Sequence, residues 1–100
     1  MSIEYDLILH DPTKQSEAVQ LLRQSNRIVW DGEWLMSNET SEPCAVQVIP
    51  EAYGFHIQIA ILPDDVRREF VAWVRAVINQ IGARFVDDDG ELVDAANVHD

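Results

Sequence analysis

The sequence has few of the features that stabilise or anchor proteins outside an ordinary hydrophobic core. It contains one cysteine, Cys44, so it cannot form an internal disulfide and needs no oxidising compartment. No apolar run approaches the roughly 20 residues that a membrane-spanning helix requires. The first ten residues, MSIEYDLILH, include no basic segment of the kind that starts a secretory signal. We therefore expect a cytoplasmic protein that does not bind membranes.

Basic residues are also scarce. Seven lysines and arginines stand against 18 aspartates and glutamates, and the formal net charge is −11. Nucleic-acid binding depends on Lys and Arg that neutralise phosphates, so this balance argues against a nucleic-acid partner. The same field attracts a cationic protein. The alternative is that the acidity serves solubility alone.

Motifs that carry chemistry are missing. The three histidines are far apart and lack metal-ligand spacing, so a surface position is expected for His56. The DDDGE segment at 87–91 does not match a calcium loop, because Phe85 and Ala96 occupy positions that need acids. No glycine elbow accompanies Cys44 to lower its pKa for nucleophilic catalysis with His56. We predict no catalytic residue, no metal site and no cofactor.

The composition of the chain indicates an ordinary globular protein. Of its 100 residues, 47% are hydrophobic and 25% are charged, which is typical of one folded domain. We expect a single domain over residues 1–100, with the last residues, from about 95, frayed.

Apolar periodicity predicts the elements and their order. Alternation with a period of two indicates strands, and a broad apolar arc at helical spacing indicates a helix over 64–81, where Trp73 lies in the core. The predicted order is β-α-β-β-β-β-α-β. It corresponds to an α+β two-layer sandwich with a mainly antiparallel sheet of about five strands and two helices on one face. A ferredoxin-like arrangement is one option.

Two Asp-Gly pairs predict hairpins. In RIVWDGEWLMS, residues 27–37, a two-residue turn at Asp31-Gly32 pairs Trp30 with Glu33. Glu33 shares a face with Trp30, and its charge favours solvent exposure of that face. Trp34 is therefore predicted to lie in the core and Trp30 to be half exposed. The same turn at Asp89-Gly90 places Asp88 opposite Glu91.

These observations favour a non-enzymatic domain that presents an acidic surface to a cationic protein partner. In size and acidity alone the chain resembles bacterial immunity proteins and antitoxins that neutralise basic toxins. The predicted partner-binding residues fall in two groups, which are Trp30, Asp31 and Glu33 in the first hairpin and Asp87, Asp88, Asp89 and Glu91 in the second. The alternative is a small enzyme or ligand-binding domain with a pocket between sheet and helices. A homodimer through a sheet edge is compatible with either function.

Overall fold

The computed structural model describes residues 2–39 and 42–98, which form one sheet and two main helices. In chain order the elements are β1 (Ile3–Leu9), α1 (Gln15–Arg23), β2 (Ile28–Trp30), β3 (Trp34–Ser37), β4 (Ala45–Glu51), β5 (Gly54–Ile61), α2 (Asp64–Gln80) and β6 (Ala83–Asp87). Short 3-10 turns cover Pro12–Lys14 and Ala95–Asn97. The α+β class is confirmed.

The sheet is antiparallel throughout and has the strand order β2-β3-β4-β5-β1-β6. Its six strands exceed the predicted number of about five, and a ferredoxin-like arrangement is not confirmed. The sequence also predicts that Pro50 ends β4, but this strand continues to Glu51. Pro50 has no backbone N–H to donate. It is tolerated because, on the side of β4 that faces β3, the last backbone hydrogen bond is the one from Val48 to Glu33, and no strand lies there beyond Val48.

The core lies between one sheet face and both helices. Alternate residues of β1 and β5 are buried against α2, whose apolar arc includes Phe70 and Trp73 as predicted. The Trp73 indole donates a hydrogen bond of 2.9 Å to the Ala18 carbonyl of α1. Its ring also meets Phe55 of β5 edge-on, with the centroids 5.2 Å apart. Trp73 thus connects both helices and the sheet.

The first hairpin differs from its prediction in register and in orientation. Trp30 pairs with Leu35, not Glu33, because the Asp31 carboxylate accepts hydrogen bonds from the backbone N–H groups of Glu33 (2.9 Å) and Trp34 (2.7 Å). The register moves by two residues, which leaves the same side chains together on each face. The prediction that Trp34 lies in the core is wrong, since Trp34 is 42% exposed.

The second hairpin has a loop of three residues. Asp87 pairs with Glu91, and the Asp87 carbonyl accepts a hydrogen bond from Gly90, whose φ is 80°. A type I turn followed by a left-handed glycine is the usual geometry of such loops. Asp88 therefore lies at the tip, and its predicted position opposite Glu91 is wrong.

The C-terminal segment packs against α2 instead of fraying from about residue 95. Ala95 and Val98 are buried, and the Arg67 guanidinium donates to the carbonyls of Ala96 and Val98. The apolar side chains at 95 and 98 extend the core, which offsets the entropy of ordering the chain end. Residues 99 and 100 lie outside the described residues.

Candidate partner-binding face

The predicted site residues lie at opposite edges of the sheet. Trp30, Asp31 and Glu33 belong to the β2–β3 hairpin at one edge, and the acidic hairpin at 87–91 follows β6 at the other. Four strands separate β2 from β6, which corresponds to about 24 Å at the usual strand spacing. The structure therefore does not bring the two predicted groups together.

Trp30 is a packing residue on the helix side of the sheet. It is half-buried against the core, and its indole donates a hydrogen bond of 3.1 Å to the Val48 carbonyl. The Arg23 guanidinium lies over the ring, 5.3 Å from its centroid. These contacts occupy both the polar and the aromatic surface of Trp30, which makes it a poor anchor for a partner.

The sheet face opposite the helices carries a different set of residues. The strand registers place on it the side chains that alternate with the buried ones. We call this surface the open face, and its residues are Glu4, Asp6, Ile8, Val29, Trp34, Met36, Ala45, Gln47, Ile49, Glu51, His56, Gln58, Ala60, Ile61, Arg84 and Val86.

One side of the open face is an exposed apolar row. Val29 pairs with Met36, Ala45 follows on β4, and an irregularity in β4–β5 pairing sets Ile61 opposite Ala45. Val29, Met36 and Ile61 are 43–44% exposed. Trp34 lies beside this row, and within the described chain its indole N–H has no hydrogen-bond partner.

The other side of the open face is a polar cluster centred on His56. The Nδ1 atom of His56 lies 2.9 Å from an Asp6 carboxylate oxygen, and Nε2 lies 3.2 Å from a Glu4 oxygen. The Tyr53 hydroxyl donates to the same Asp6 oxygen. Gln58 donates to the Glu4 carboxylate at 3.4 Å. β1 and β5 are neighbours in the sheet, and their register brings these groups together.

Two pKa values in this cluster are displaced. The hydrogen bond to Asp6 is the main cause that raises the pKa of His56, and Glu4 contributes in the same direction, while partial burial opposes both. Burial, followed by the hydrogen bond to Asp6, raises the pKa of the Tyr53 hydroxyl. Since each ring nitrogen of His56 faces a carboxylate, neither is free to take a proton from a substrate.

Basic side chains are concentrated in the helical segments. Residues 12–27 and 64–80, which contain both helices, carry six basic and four acidic side chains, so fourteen acids and one base, Arg84, remain for the rest of the chain. Within the described residues, Arg84 is the one arginine or lysine on the open face. The open face carries the acids Glu4, Asp6 and Glu51 against Arg84, so it is moderately acidic. Most of the other acids lie in turns and loops, and Asp94 pairs with Arg75 of α2 at 3.4 Å.

Nucleophilic chemistry at Cys44 receives no support. Its thiol donates to the Leu35 carbonyl at 3.2 Å, and burial, assisted by Asp65, raises its pKa. Cys44 and His56 do not form a dyad. His56 pairs with Ile49, which lies five residues from Cys44 along the chain, or about 16 Å in a strand.

The acidic turn of the second hairpin brings the carboxylates of Asp87, Asp88 and Asp89 within 4.8 Å of one another. The Asp87 carboxylate already accepts hydrogen bonds from the backbone N–H groups of Asp89 and Glu91, both at 3.0 Å. These bonds explain the close spacing as turn geometry, without a metal ion.

An open groove of about 270 Å³ lies between α1 and α2, with Ile28 of β2 also in its lining. Its walls include Leu21, Ala72, Ala76 and one charged residue, Glu69. The lining also includes the polar residues Gln24, Ser25 and Gln80, and Glu69 is its one ionisable group. This lining offers a single candidate for acid–base chemistry.

Comparison with protein-family models, with curated proteins and with solved structures found no match. Among the described helices, none has the length and apolar character needed to cross a membrane.

Sequence reasoning missed the open face, although part of the signal was present. Alternation places Glu4 and Asp6 on one side of the first strand, and His56 and Gln58 on one side of a later strand. Only the strand order shows that these two sides are neighbours.

Proposed function

We propose that the protein is a non-enzymatic binding domain whose open face docks a cationic protein partner. The observation that carries this proposal is an apolar row, flanked by Trp34, that stays exposed on a sheet face whose polar part includes Glu4 and Asp6. A protein that neutralises a basic toxin in the cytoplasm is one concrete example of such a binder.

Exposed apolar side chains support a contact surface because they are contiguous. Single exposed hydrophobic residues are ordinary, whereas a continuous patch with a polar rim is typical of an interaction site. Trp34 combines a large apolar ring with an indole N–H that has no partner among residues 2–39 and 42–98, and tryptophan is enriched among interface hot spots. It replaces Trp30 as the proposed anchor, while Asp31 and Glu33 remain at the rim of the same edge.

The charges of the open face favour a cationic partner over a second copy of the chain. Glu33 accepts a hydrogen bond of 2.7 Å from Gln47, which pairs with Trp34. Glu4 pairs with Gln58 in the same cross-strand row, and Asp6 lies farther along, opposite His56. Arg84 is two strands away from His56. Face-to-face pairing of two copies brings like charges together, which is unfavourable, whereas a basic surface complements them. Edge pairing through β2, a strand of three residues, remains a separate prediction.

We further propose a description of the scaffold. Without β2 and β3, the chain order is β-α-β-β-α-β, as in ferredoxin-like units, and the remaining strands β4, β5, β1 and β6 are neighbours. The β2–β3 hairpin is then an insertion after α1. This insertion supplies Val29, Trp34 and Met36, three of the exposed apolar residues of the open face.

The alternative function, a ligand-binding domain or small enzyme, has weaker support. The groove between the helices is open, and its lining offers Glu69 as the one ionisable group. Binding of a small molecule there with no effect of open-face variants would favour this alternative.

The proposal is tested with a synthetic probe, a twelve-residue peptide that alternates arginine and leucine and has blocked ends. Titration of the ¹⁵N-labelled protein at low salt should shift the Trp34 indole and the side-chain amides of Gln47 and Gln58. A peptide with citrulline in place of arginine should bind much more weakly, because it lacks the positive charge.

Matched variants separate the open face from generic attraction to an acidic protein. Trp34→Ser should weaken binding by at least about tenfold. Leu92→Ser is the control, since Leu92 is 74% exposed but lies beside β6 at the far edge. Equal effects of the two substitutions, or shifts confined to residues 87–91, would overturn the proposal.

A further inference from the structure

We infer that partner binding to the open face is linked to a proton on His56, with tighter binding when His56 is neutral. This inference rests on the proposed function, because it concerns the regulation of the same face. It begins from the position of His56 in the middle strands of that face, between two carboxylates of the neighbouring strand.

The arrangement makes His56 an internal counter-ion. Its imidazolium can donate one N–H to Asp6 and the other to Glu4, so the protonated ring pairs with both carboxylates at once and balances one of their two negative charges. A neutral ring can donate to only one of them. Loss of the proton therefore leaves the face one unit more negative and frees a carboxylate to accept a hydrogen bond from a partner.

The side chains around His56 come from β1, from the β4–β5 turn and from β5 itself. β1 contributes Asp6 and Glu4, the β4–β5 turn contributes Tyr53, and β5 itself contributes Gln58. On β4 the residue opposite His56 is Ile49, which is apolar.

Two further charged side chains lie farther from His56. Glu51 lies at the end of β4, and Arg84 lies on β6, two strands from β5. The hydrogen bonds to Asp6 and Glu4 raise the pKa of His56 above its ordinary value of 6.5. Within the described chain, His56 is the histidine on the open face, since His10 follows β1 near Gly82.

The direction of the linkage follows from like-charge repulsion. A cationic partner placed over Asp6 and Glu4 disfavours the His56 imidazolium, so binding lowers the pKa of His56 and releases a proton. By reciprocity, affinity rises as pH rises through that pKa. One like charge about 4 Å away in water changes an affinity by about fivefold.

The experiment uses the arginine–leucine peptide, because arginine stays charged throughout the range. The full chain with His10→Gln and His99→Gln leaves His56 as its sole histidine. Peptide affinity is measured at about pH 5.5 and about pH 8, and the His56 ring protons are titrated by NMR with and without peptide. We expect affinity to increase about fivefold or more towards the higher pH, with a lower His56 pKa in the complex.

His56→Gln is the decisive variant, since glutamine is uncharged at both pH values and still donates a hydrogen bond. Its affinity should be the same at both pH values and close to that of the neutral wild-type form. If the peptide binds the open face with equal affinity at both pH values and an unchanged His56 pKa, the inference is overturned while the proposed function stands. If the peptide shifts no open-face resonance, the proposed function fails instead.

Discussion

Trp30 and Trp34 are four residues apart and lie on opposite faces of the same hairpin. Trp34→Ala should change the free energy of unfolding by no more than about 0.5 kcal/mol, as exposed substitutions usually do. Trp30→Ala should cost about 2 kcal/mol, because a half-buried ring and the hydrogen bond to Val48 are lost. Denaturant melts give both values. In single-tryptophan variants iodide should quench Trp34 more than Trp30, and the reverse order would contradict the orientation of the hairpin.

His56 should make stability depend on pH in a definite direction. Its pKa in the folded chain is raised above the ordinary value of 6.5, chiefly by Asp6. The stability it contributes is therefore fully present below about pH 6.5 and is lost as pH rises through the raised pKa. The stability difference between wild type and His56→Gln should be larger at about pH 5.5 than at about pH 8.5. Equal differences in urea melts at the two pH values would show that the carboxylates do not stabilise the imidazolium.

Gly54 is required because its backbone conformation and its close contact with β1 leave no room for a side chain. Its φ is 148°, and a Cβ atom there would lie 2.1 Å from the Leu7 carbonyl oxygen of β1. Gly54→Ala should destabilise the fold by more than about 3 kcal/mol, because the strands must separate to admit the methyl group.

Gly32 provides the matched control for that substitution. Its φ is 103°, but a Cβ atom would meet nothing within 4 Å. Gly32→Ala should cost only about 1–2 kcal/mol of backbone strain. Thermal melts that show the same loss for both variants would mean that the close approach of β1 at Gly54 does not matter.

At the scale of elements, α2 is the anchor of the fold. It buries five residues on one side, and Trp73 adds the hydrogen bond to α1 and the ring contact with β5. Trp73→Ala should cost about 3–5 kcal/mol, as expected for a large buried aromatic. Trp73→Phe should cost less, since most of the packing remains. A loss below about 1 kcal/mol for the alanine variant in denaturant melts would contradict the burial of this arc.

Local hydrogen bonds within each hairpin explain why its predicted register was wrong. An Asp-Gly pair identifies a turn correctly, but the Asp31 and Asp87 carboxylates cap backbone N–H groups that follow them. Such side-chain bonds compete with a two-residue turn and lengthen or displace the loop. The hairpins themselves were predictable, whereas their registers depended on this local competition.

For the whole molecule, the main electrostatic feature is the concentration of six of the seven Lys and Arg side chains in the helical segments, while the turns and loops are acidic. Neutralising Asp88, Asp89 and Glu91 as Asn, Asn and Gln should raise the free energy of unfolding by up to about 0.5 kcal/mol at low salt, because like-charge repulsion is relieved. The Asp87 turn bonds are left intact. The gain should vanish at about 1 M salt, where charges are screened beyond about 3 Å. A gain that persists in high salt would show that it is not electrostatic.

The sequence alone determined the α+β class, the order of the elements and the buried arc of α2. These features depend on periodicity and on end signals within one element, which are local. It also determined the acidity and the shortage of basic residues, which direct the choice of partner whatever the fold.

Only the tertiary structure decided which face of the β2–β3 hairpin is covered and which strands are neighbours. Both faces of that hairpin are apolar, so its orientation depends on whether Ile28 and Leu35 or Val29 and Met36 meet the helices. The sequence separation between β1 and β5 likewise hides the contact of Glu4 and Asp6 with His56. Pairings between distant strands are set by the packing of the whole sheet against its helices, which a pattern within any single strand does not contain.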